Sequence, residues 1–143
     1  MQDNSFTWKE RVRIYDTDIQ GIVHYAGYYR FFTDTMEQFC RKTINISFPM
    51  LSDRIWLVVV ESKASYHKPA RLGNMLSTRL RAEMIGKKAV RFNFRIYSRR
   101  ELMCEGSIVH VAIDNRKWRA VPVPEALKSA IERFESHRSR AVR

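Results

Sequence analysis

Tyr15-Asp16-Thr17-Asp18-Ile19-Gln20-Gly21-Ile22-Val23-His24-Tyr25 is the densest polar constellation in the chain, and it stands where the hydrophobic period changes. Before it, residues 6–15 (FTWKERVRIY) alternate roughly as a strand. After it, over residues 26–42, Tyr28, Phe32, Met36, Phe39 and Cys40 recur at spacings of three and four, the apolar stripe of a helix. Arg30, Asp34, Glu37, Gln38 and Arg41 fall largely off that stripe. Gly21 permits a backbone turn that a Cβ would hinder. The reading is a polar loop between a strand and an aromatic-rich helix, with a sheet covering that helix. Asn45 and Pro49 mark its irregular exit.

Downstream the period changes to two. Residues 57–67 form a strand candidate, punctuated at its end by Pro69 and Gly73. Residues 76–85 place Leu76, Thr78, Leu80, Ala82 and Met84 on one face. Gly86-Lys87-Lys88 turns the chain, and residues 89–98 place Val90, Phe92, Phe94 and Ile96 inward. Arg99-Arg100-Glu101 turns it again into a long strand over 102–113. The short connections predict an antiparallel meander. Pro122 and Pro124 precede a last helix with the stripe Leu127, Ala130, Ile131 and Phe134. The class is α+β, an antiparallel sheet wrapped around one long helix, and its exposed edge and face predict oligomerisation.

The 143 residues suit one domain, read as 1–136 with a basic tail at 137–143. Hydrophobic residues at 45% and charged residues at 29% exclude a disordered chain. Lys and Arg number 26 against 15 Asp and Glu, and the resulting +11 attracts polyanions: nucleic acid, an anionic membrane, an acidic carrier protein or a phosphate-rich cofactor. Cys40 and Cys104 sit among apolar neighbours and read as small buried hydrophobes, which fits a reducing, cytoplasmic setting. The polar N-terminus carries no apolar signal core, and no run of about 18 apolar residues predicts a membrane span. The histidines are scattered without metal-ligand spacing, so no metal and no cofactor are expected.

Asp16 and Asp18 offer an acid or a base on a loop that leads into a helix. The unpaired N–H groups of a helix start carry partial positive charge and suit an oxyanion. Asp-Thr-Asp before a helix is equally a turn and capping sequence, and spacing alone favours that simpler reading.

Residues Val12 to Tyr28 resemble the signature of the 4-hydroxybenzoyl-CoA thioesterase family, the hotdog family that also holds the Tol-Pal-associated acyl-CoA thioesterases. The pattern is an aromatic, Asp-x-Asp, two residues, Gly, an apolar pair, then an aromatic or His. Two supporting matches follow in order, Tyr66-His67-Lys68-Pro69-Ala70-Arg71-Leu72-Gly73 and Arg119-Ala120-Val121-Pro122. The resemblance implies a hotdog fold and hydrolysis of an acyl- or aryl-CoA thioester to free acid and CoA. It places the chemistry on Asp18, as nucleophile or as base for a water, and the oxyanion donor on the backbone N–H of Tyr25. Gly21 would shape the loop, and Asp16 and Thr17 would fix it. Lys87, Lys88 and Arg119 would meet the phosphates of coenzyme A, with Arg71 a weaker candidate. A homodimer or homotetramer with the site at the dimer interface is implied. The order His24-Tyr25 is closer to the 4-hydroxybenzoyl-CoA branch; His24 reads as a packing or hydrogen-bonding residue beside the substrate.

Three other readings use the same residues. An acyl group carried on acyl carrier protein would reach the same site, its acidic helix suiting the +11 surface. A hotdog enoyl-thioester hydratase would pair Asp18 with His24. An RNA-binding sheet would use Arg91-Phe92-Asn93-Phe94-Arg95, but strict alternation puts the phenylalanines opposite the arginines and makes them core, so no nucleic-acid partner is expected.

Overall fold

The computed structural model of the chain describes residues 4–135; the expected tail at 137–143 lies outside them. Strand β1 spans Phe6–Arg11, and helix α1 spans Tyr28–Ile44. Strands β2 (Ile55–Tyr66), β3 (Met75–Ile85), β4 (Ala89–Ser98) and β5 (Glu101–Asp114) follow, then a short β6 (Arg119–Ala120) and helix α2 (Glu125–Arg133). The sheet runs β1-β3-β4-β5-β2, all antiparallel, with β6 paired to the end of β5.

The alternation sets the core face. Leu76, Leu80, Ala82, Val90, Phe92, Phe94 and Ile96 are buried, and α1 lays Tyr28, Phe32, Met36, Phe39 and Cys40 against them. Phe32 stacks on Phe94 with ring centroids 4.4 Å apart, and Phe39 meets Phe92 edge-on. Burying one Phe of this kind is worth about 2–3 kcal/mol. Gly106 of β5 lies under Phe32, where a Cβ would come within 2.9 Å of the ring and 2.6 Å of the Lys63 carbonyl. Asn45, in the left-handed conformation, ends α1, and its N–H bonds the Arg41 carbonyl. Helix α2 closes the far side through Phe134, which packs on Phe6 and Phe39 and bonds Ala82 through its carbonyl. This is the hotdog arrangement.

Two expectations change. The first strand stops at Arg11, because Val12 turns to bond Asn74 and residues Ile14–Asp16 form a single 3-10 turn. The meander holds for β3, β4 and β5, but β2 joins the outer side of β5. The segment 67–74 carries the chain across the end of the sheet, and Gly73 turns it at φ +88°. Phe92 and Phe94 lie under the helix at 0% and 1% exposure and offer no stacking platform. Cys40 and Cys104 are buried free thiols, both pushed up to about 12 by burial. No helix among the described residues is long and apolar enough to cross a membrane.

Candidate active site

Residues 17–23 form a narrow tongue. Thr17 and Val23 make an antiparallel bridge, and the Asp18 N–H bonds the Ile22 carbonyl at 3.0 Å. The tip closes where the Gly21 N–H meets the Asp18 carbonyl at 2.9 Å, with Gly21 at φ +76°. The Asp18 carboxylate is half-buried, and its Oδ1 accepts the Gln20 N–H at 2.8 Å. This is an Asx turn, so one oxygen is held and the other is free of protein partners among the described residues. Gly21, His24 and Tyr25 lie along the same tongue and its root.

The two aspartates have different surroundings. Asp16 is 3% exposed; its Oδ1 accepts Arg30 Nε at 2.6 Å and its Oδ2 accepts Arg30 Nη2 at 2.7 Å and the Arg13 N–H at 2.8 Å. A carboxylate satisfied by a bidentate guanidinium is a fastener. Its main-chain carbonyl takes the His24 N–H at 2.9 Å, which ties the root of the tongue down. Arg30 also donates to Glu10 at 2.6 Å and to Asp34 at 2.9 Å, so one guanidinium gathers three carboxylates. Hydrogen bonding to Asp16 first, and to Glu10, holds the Arg30 pKa above its usual value. Burial, then the nearby Glu10, pushes Asp34 up to about 6, against the pull of Arg30.

Helix α1 begins at Tyr28, two residues later than expected, and residues 25–27 form a turn in front of it. In that turn the His24 N–H goes to Asp16, the Ala26 N–H to His24 Nδ1 at 3.2 Å, and the Gly27 N–H to the His24 carbonyl at 2.7 Å. The Tyr25 N–H has no acceptor among the described residues. The Tyr25 carbonyl accepts the Tyr66 hydroxyl at 2.9 Å. His24 thus acts as a hydrogen-bonding residue, and its ring lies 4.5 Å from that of Tyr25. Gly27 is constrained for another reason: a Cβ there would sit 2.9 Å from the Asp16 carbonyl and 3.0 Å from that of His24.

The second motif docks on the first. Ile22 bridges Arg71, the Val23 N–H bonds the Ala70 carbonyl at 2.8 Å, and the Tyr28 hydroxyl accepts the Ala70 N–H at 3.2 Å. Arg71 therefore stands beside the tongue. Lys87, Lys88 and Arg119 do not. They gather at the opposite end of the sheet, where the Lys87 carbonyl accepts Val123, the Lys88 carbonyl accepts Ala112, and Arg119 pairs with Asp114. The length of β3 separates the two groups by about 30 Å within one chain.

Exposed apolar side chains surround the tongue: Ile14, Tyr15, Ile19, Tyr25 and Leu72. Strand β2 is exposed on both faces from Val59 to Lys63; the 49–51 segment pairs with its outer edge near the start, where Met50 bridges Trp56, and beyond Leu57 that edge carries no strand among the described residues. Among the described residues, no three His, Cys, Asp or Glu side chains are placed to hold a metal ion; the three carboxylates around Arg30 are held by its guanidinium. Sequence reasoning missed Arg30 and Gly27. The aromatic stripe placed Arg30 on a polar face, with nothing to show that the loop folds over it.

Comparison with known proteins gives a consistent picture. A sequence model described as the thioesterase-like superfamily matches residues 12–131. The acyl-CoA thioester hydrolase YbgC of Escherichia coli is 26% identical over 128 residues, covering 89% of this chain and 96% of its own. The 1,4-dihydroxy-2-naphthoyl-CoA hydrolase of Synechococcus elongatus is 21% identical, covering 89% and 95%. Among solved structures, Slr0204, a 1,4-dihydroxy-2-naphthoyl-CoA thioesterase from Synechocystis, superposes with a TM-score of 0.79 at 20% identity, over 89% of this chain and 95% of that one.

Proposed function

Because the chain belongs to the thioesterase-like superfamily, we propose that it hydrolyses acyl- or aryl-CoA thioesters to the free acid and coenzyme A, with Asp18 and the Tyr25 N–H as its working groups. The observation that carries this reading is the amide pattern at the root of the tongue. Of the four N–H groups from His24 to Gly27, that of Tyr25 alone lacks an acceptor among the described residues. An unengaged donor on the same tongue as a carboxylate with one free oxygen is what thioester hydrolysis needs.

The free Asp18 oxygen either attacks the thioester carbonyl or takes a proton from the attacking water. In both courses the carbonyl oxygen gains charge, the Tyr25 N–H stabilises it, and the C–S bond breaks to release the thiolate, which takes its proton from protonated Asp18 in the base course and from water in the nucleophilic one. In the first course the mixed anhydride on Asp18 is then cleaved by water, returning the carboxylate. One such donor is worth about 2.7–4 kcal/mol in the transition state. Asp16, closed off by Arg30, holds the frame. The mobile chemistry comes entirely from Asp18 and water, with no cofactor beyond the coenzyme A of the substrate.

The site is completed by a second copy of the chain. The β2 edge beyond Leu57, exposed on both faces from Val59 to Lys63, supports antiparallel joining of two β2 strands about a two-fold axis. Such an axis reverses the partner's sheet, and brings its Lys87–Lys88 turn and Arg119 to the end where Asp18 lies. These cations then serve the nucleotide phosphates of a substrate whose thioester reaches the tongue. Two such dimers would form a tetramer.

The test is thiol release from aryl-, short- and long-chain acyl-CoAs and from an acyl carrier protein thioester, comparing wild type with Asp18→Asn. A folded variant slower by about a hundredfold or more, some 2.7 kcal/mol of barrier, supports the assignment. Equal turnover by both proteins removes Asp18 from the reaction. No thiol release, with hydration of an enoyl-CoA that is lost in both Asp18→Asn and His24→Ala, would favour the hydratase chemistry instead.

A further inference from the structure

A cavity of about 330 Å³, lined by no residue of the tongue, opens between the 67–74 segment and the β4–β5 turn. Three cations line it: Lys68, Arg71 and Arg99. One carboxylate, Glu101, is occupied by Lys68 at 2.5 Å. The guanidinium groups of Arg71 and Arg99 have no partner among the described residues, so the pocket carries an excess of two positive charges. At the inner wall is Ser98, only 7% exposed, whose hydroxyl also has no protein partner among the described residues. A serine more than nine-tenths buried normally finds an acceptor within the fold. This one has the cavity in front of it instead.

The turn that presents Arg99 is itself unusual. Ser98 faces Glu101 across a two-residue hairpin loop in which Arg99 and Arg100 have φ of +51° and +70°. Such loops favour Asn-Gly or Gly-Gly, because left-handed backbone hinders a Cβ. Here two arginines hold those positions, and one of them faces the cavity.

We propose that this pocket binds a phosphate-bearing ligand. Two guanidinium forks match the paired oxygens of a phosphate, and the Ser98 hydroxyl supplies a neutral donor at the inner wall. The volume takes a phosphate together with part of the group that carries it. The Arg71 backbone bridges Ile22, and the Leu72 N–H bonds the Gly21 carbonyl at 3.3 Å, so an occupant braces the tongue from behind. The site is separate from the distant Lys87, Lys88 and Arg119 cluster, and its existence does not depend on the thioesterase reading.

The test is a titration of ¹⁵N-labelled protein with inorganic phosphate at pH 7, following the amides of Asn74, Ser98 and Arg99. Saturable shifts are expected in wild type, with sulfate competing and chloride not. Arg99→Gly relieves the left-handed backbone while deleting the cation, so its melting temperature stays level or rises while phosphate binding weakens about tenfold or more. Arg71→Gln gives a loss of the same order. Shifts that never saturate, or wild-type affinity in both variants, overturn the proposal. A kinetic arm, which does rest on thioesterase activity, separates the two sources of phosphate. If the substrate's own nucleotide fills the pocket, Arg99→Gly raises KM for an acyl-CoA about tenfold and leaves the KM of the matching acyl-pantetheine unchanged. If a free anion fills it, both KM values stay put while direct phosphate binding is still lost. A protein without thioesterase activity would still show the saturable shifts, so failure of the catalytic reading and failure of the pocket are distinguishable.

Discussion

Replacing Arg30 with methionine removes the centre of the clamp and keeps most of its aliphatic bulk. Asp16, with a side chain 2% exposed, would lose two bonds of 2.6 and 2.7 Å and keep only the Arg13 N–H. Deleting one partner of a buried ion pair costs about 3–5 kcal/mol. Arg30 is 27% exposed, so water reaches part of the vacated space and the lower end applies. Glu10 and Asp34 also lose their shared counter-ion, but both reach solvent and add at most about 1 kcal/mol. The expected loss is therefore about 3–4 kcal/mol in urea unfolding at pH 7. The deficit should narrow toward about pH 5. Asp34 already has its pKa raised to about 6, and without Arg30 it rises further, so the folded state binds more protons than the unfolded one and gains stability as pH falls. Asp16→Asn combined with Arg30→Met should recover part of the loss, since no unpaired charge stays buried. Turnover should fall in Arg30→Met even where the protein is fully folded, because the Asp16 carbonyl holds His24 beside the Tyr25 donor. A single variant within about 1 kcal/mol of wild type and with unchanged kcat would show that the tongue is organised by something else.

Gly27→Ala should cost about 1–3 kcal/mol and lower kcat, although Gly27 has ordinary helical φ, because its Cβ would collide with the Asp16 and His24 carbonyls; thermal melts and thiol-release assays check both. His110 is buried between Phe48 and Phe92 with Nδ1 unpartnered, and burial pushes its pKa down to about 4. Its contribution is complete above about pH 6.5 and is lost as pH falls toward 4, up to about 3 kcal/mol; His110→Leu should flatten that part of the stability–pH curve relative to wild type. Val59→Asp with Val60→Asp, on the exposed β2 edge, should reduce the mass seen by light scattering to that of a monomer and abolish activity. Full activity in a demonstrated monomer would contradict a site shared between copies.

The period of the sequence made the core legible. Phe92, Phe94 and Ile96 alternate and are buried; Tyr28, Phe32, Met36 and Phe39 recur at helical spacing and face them. Strand ends lie within a residue or two of where alternation puts them, except at Val12, where the pattern runs on and the backbone turns away to Asn74. Pairing order was less legible, because alternation says which face a residue takes and nothing about which strand lies beside it; β2 beside β5 is an example. At the site, the two aspartates are alike in local sequence. Arg30, 14 residues downstream of Asp16, distinguishes them, and only the folded chain brings the two together. The constraint on Gly27 is hidden in the sequence for a similar reason, since the carbonyls that crowd it belong to the loop folded against it. The resemblance groups Asp18, Lys87 and Arg119 in one site; strand length puts Asp18 and the two cations at opposite ends of the sheet within one chain.

Gly106 works as a keyway. Phe32 seats in the gap left by the missing side chain, with ring atoms that a Cβ would approach to 2.9 Å, and it stacks on Phe94, the cross-strand neighbour of Gly106. A helix so keyed cannot roll about its own axis or slide along the sheet without unseating an aromatic ring. Tyr25 stands in the turn that leads directly into this helix, seven residues upstream of Phe32, so the bearing of its N–H is indexed from a point deep in β5. Reshaping the site by shifting this helix is then closed as an evolutionary route. New substrates have to be accommodated at the β2 edge and in the exposed rim of the tongue, where nothing is locked.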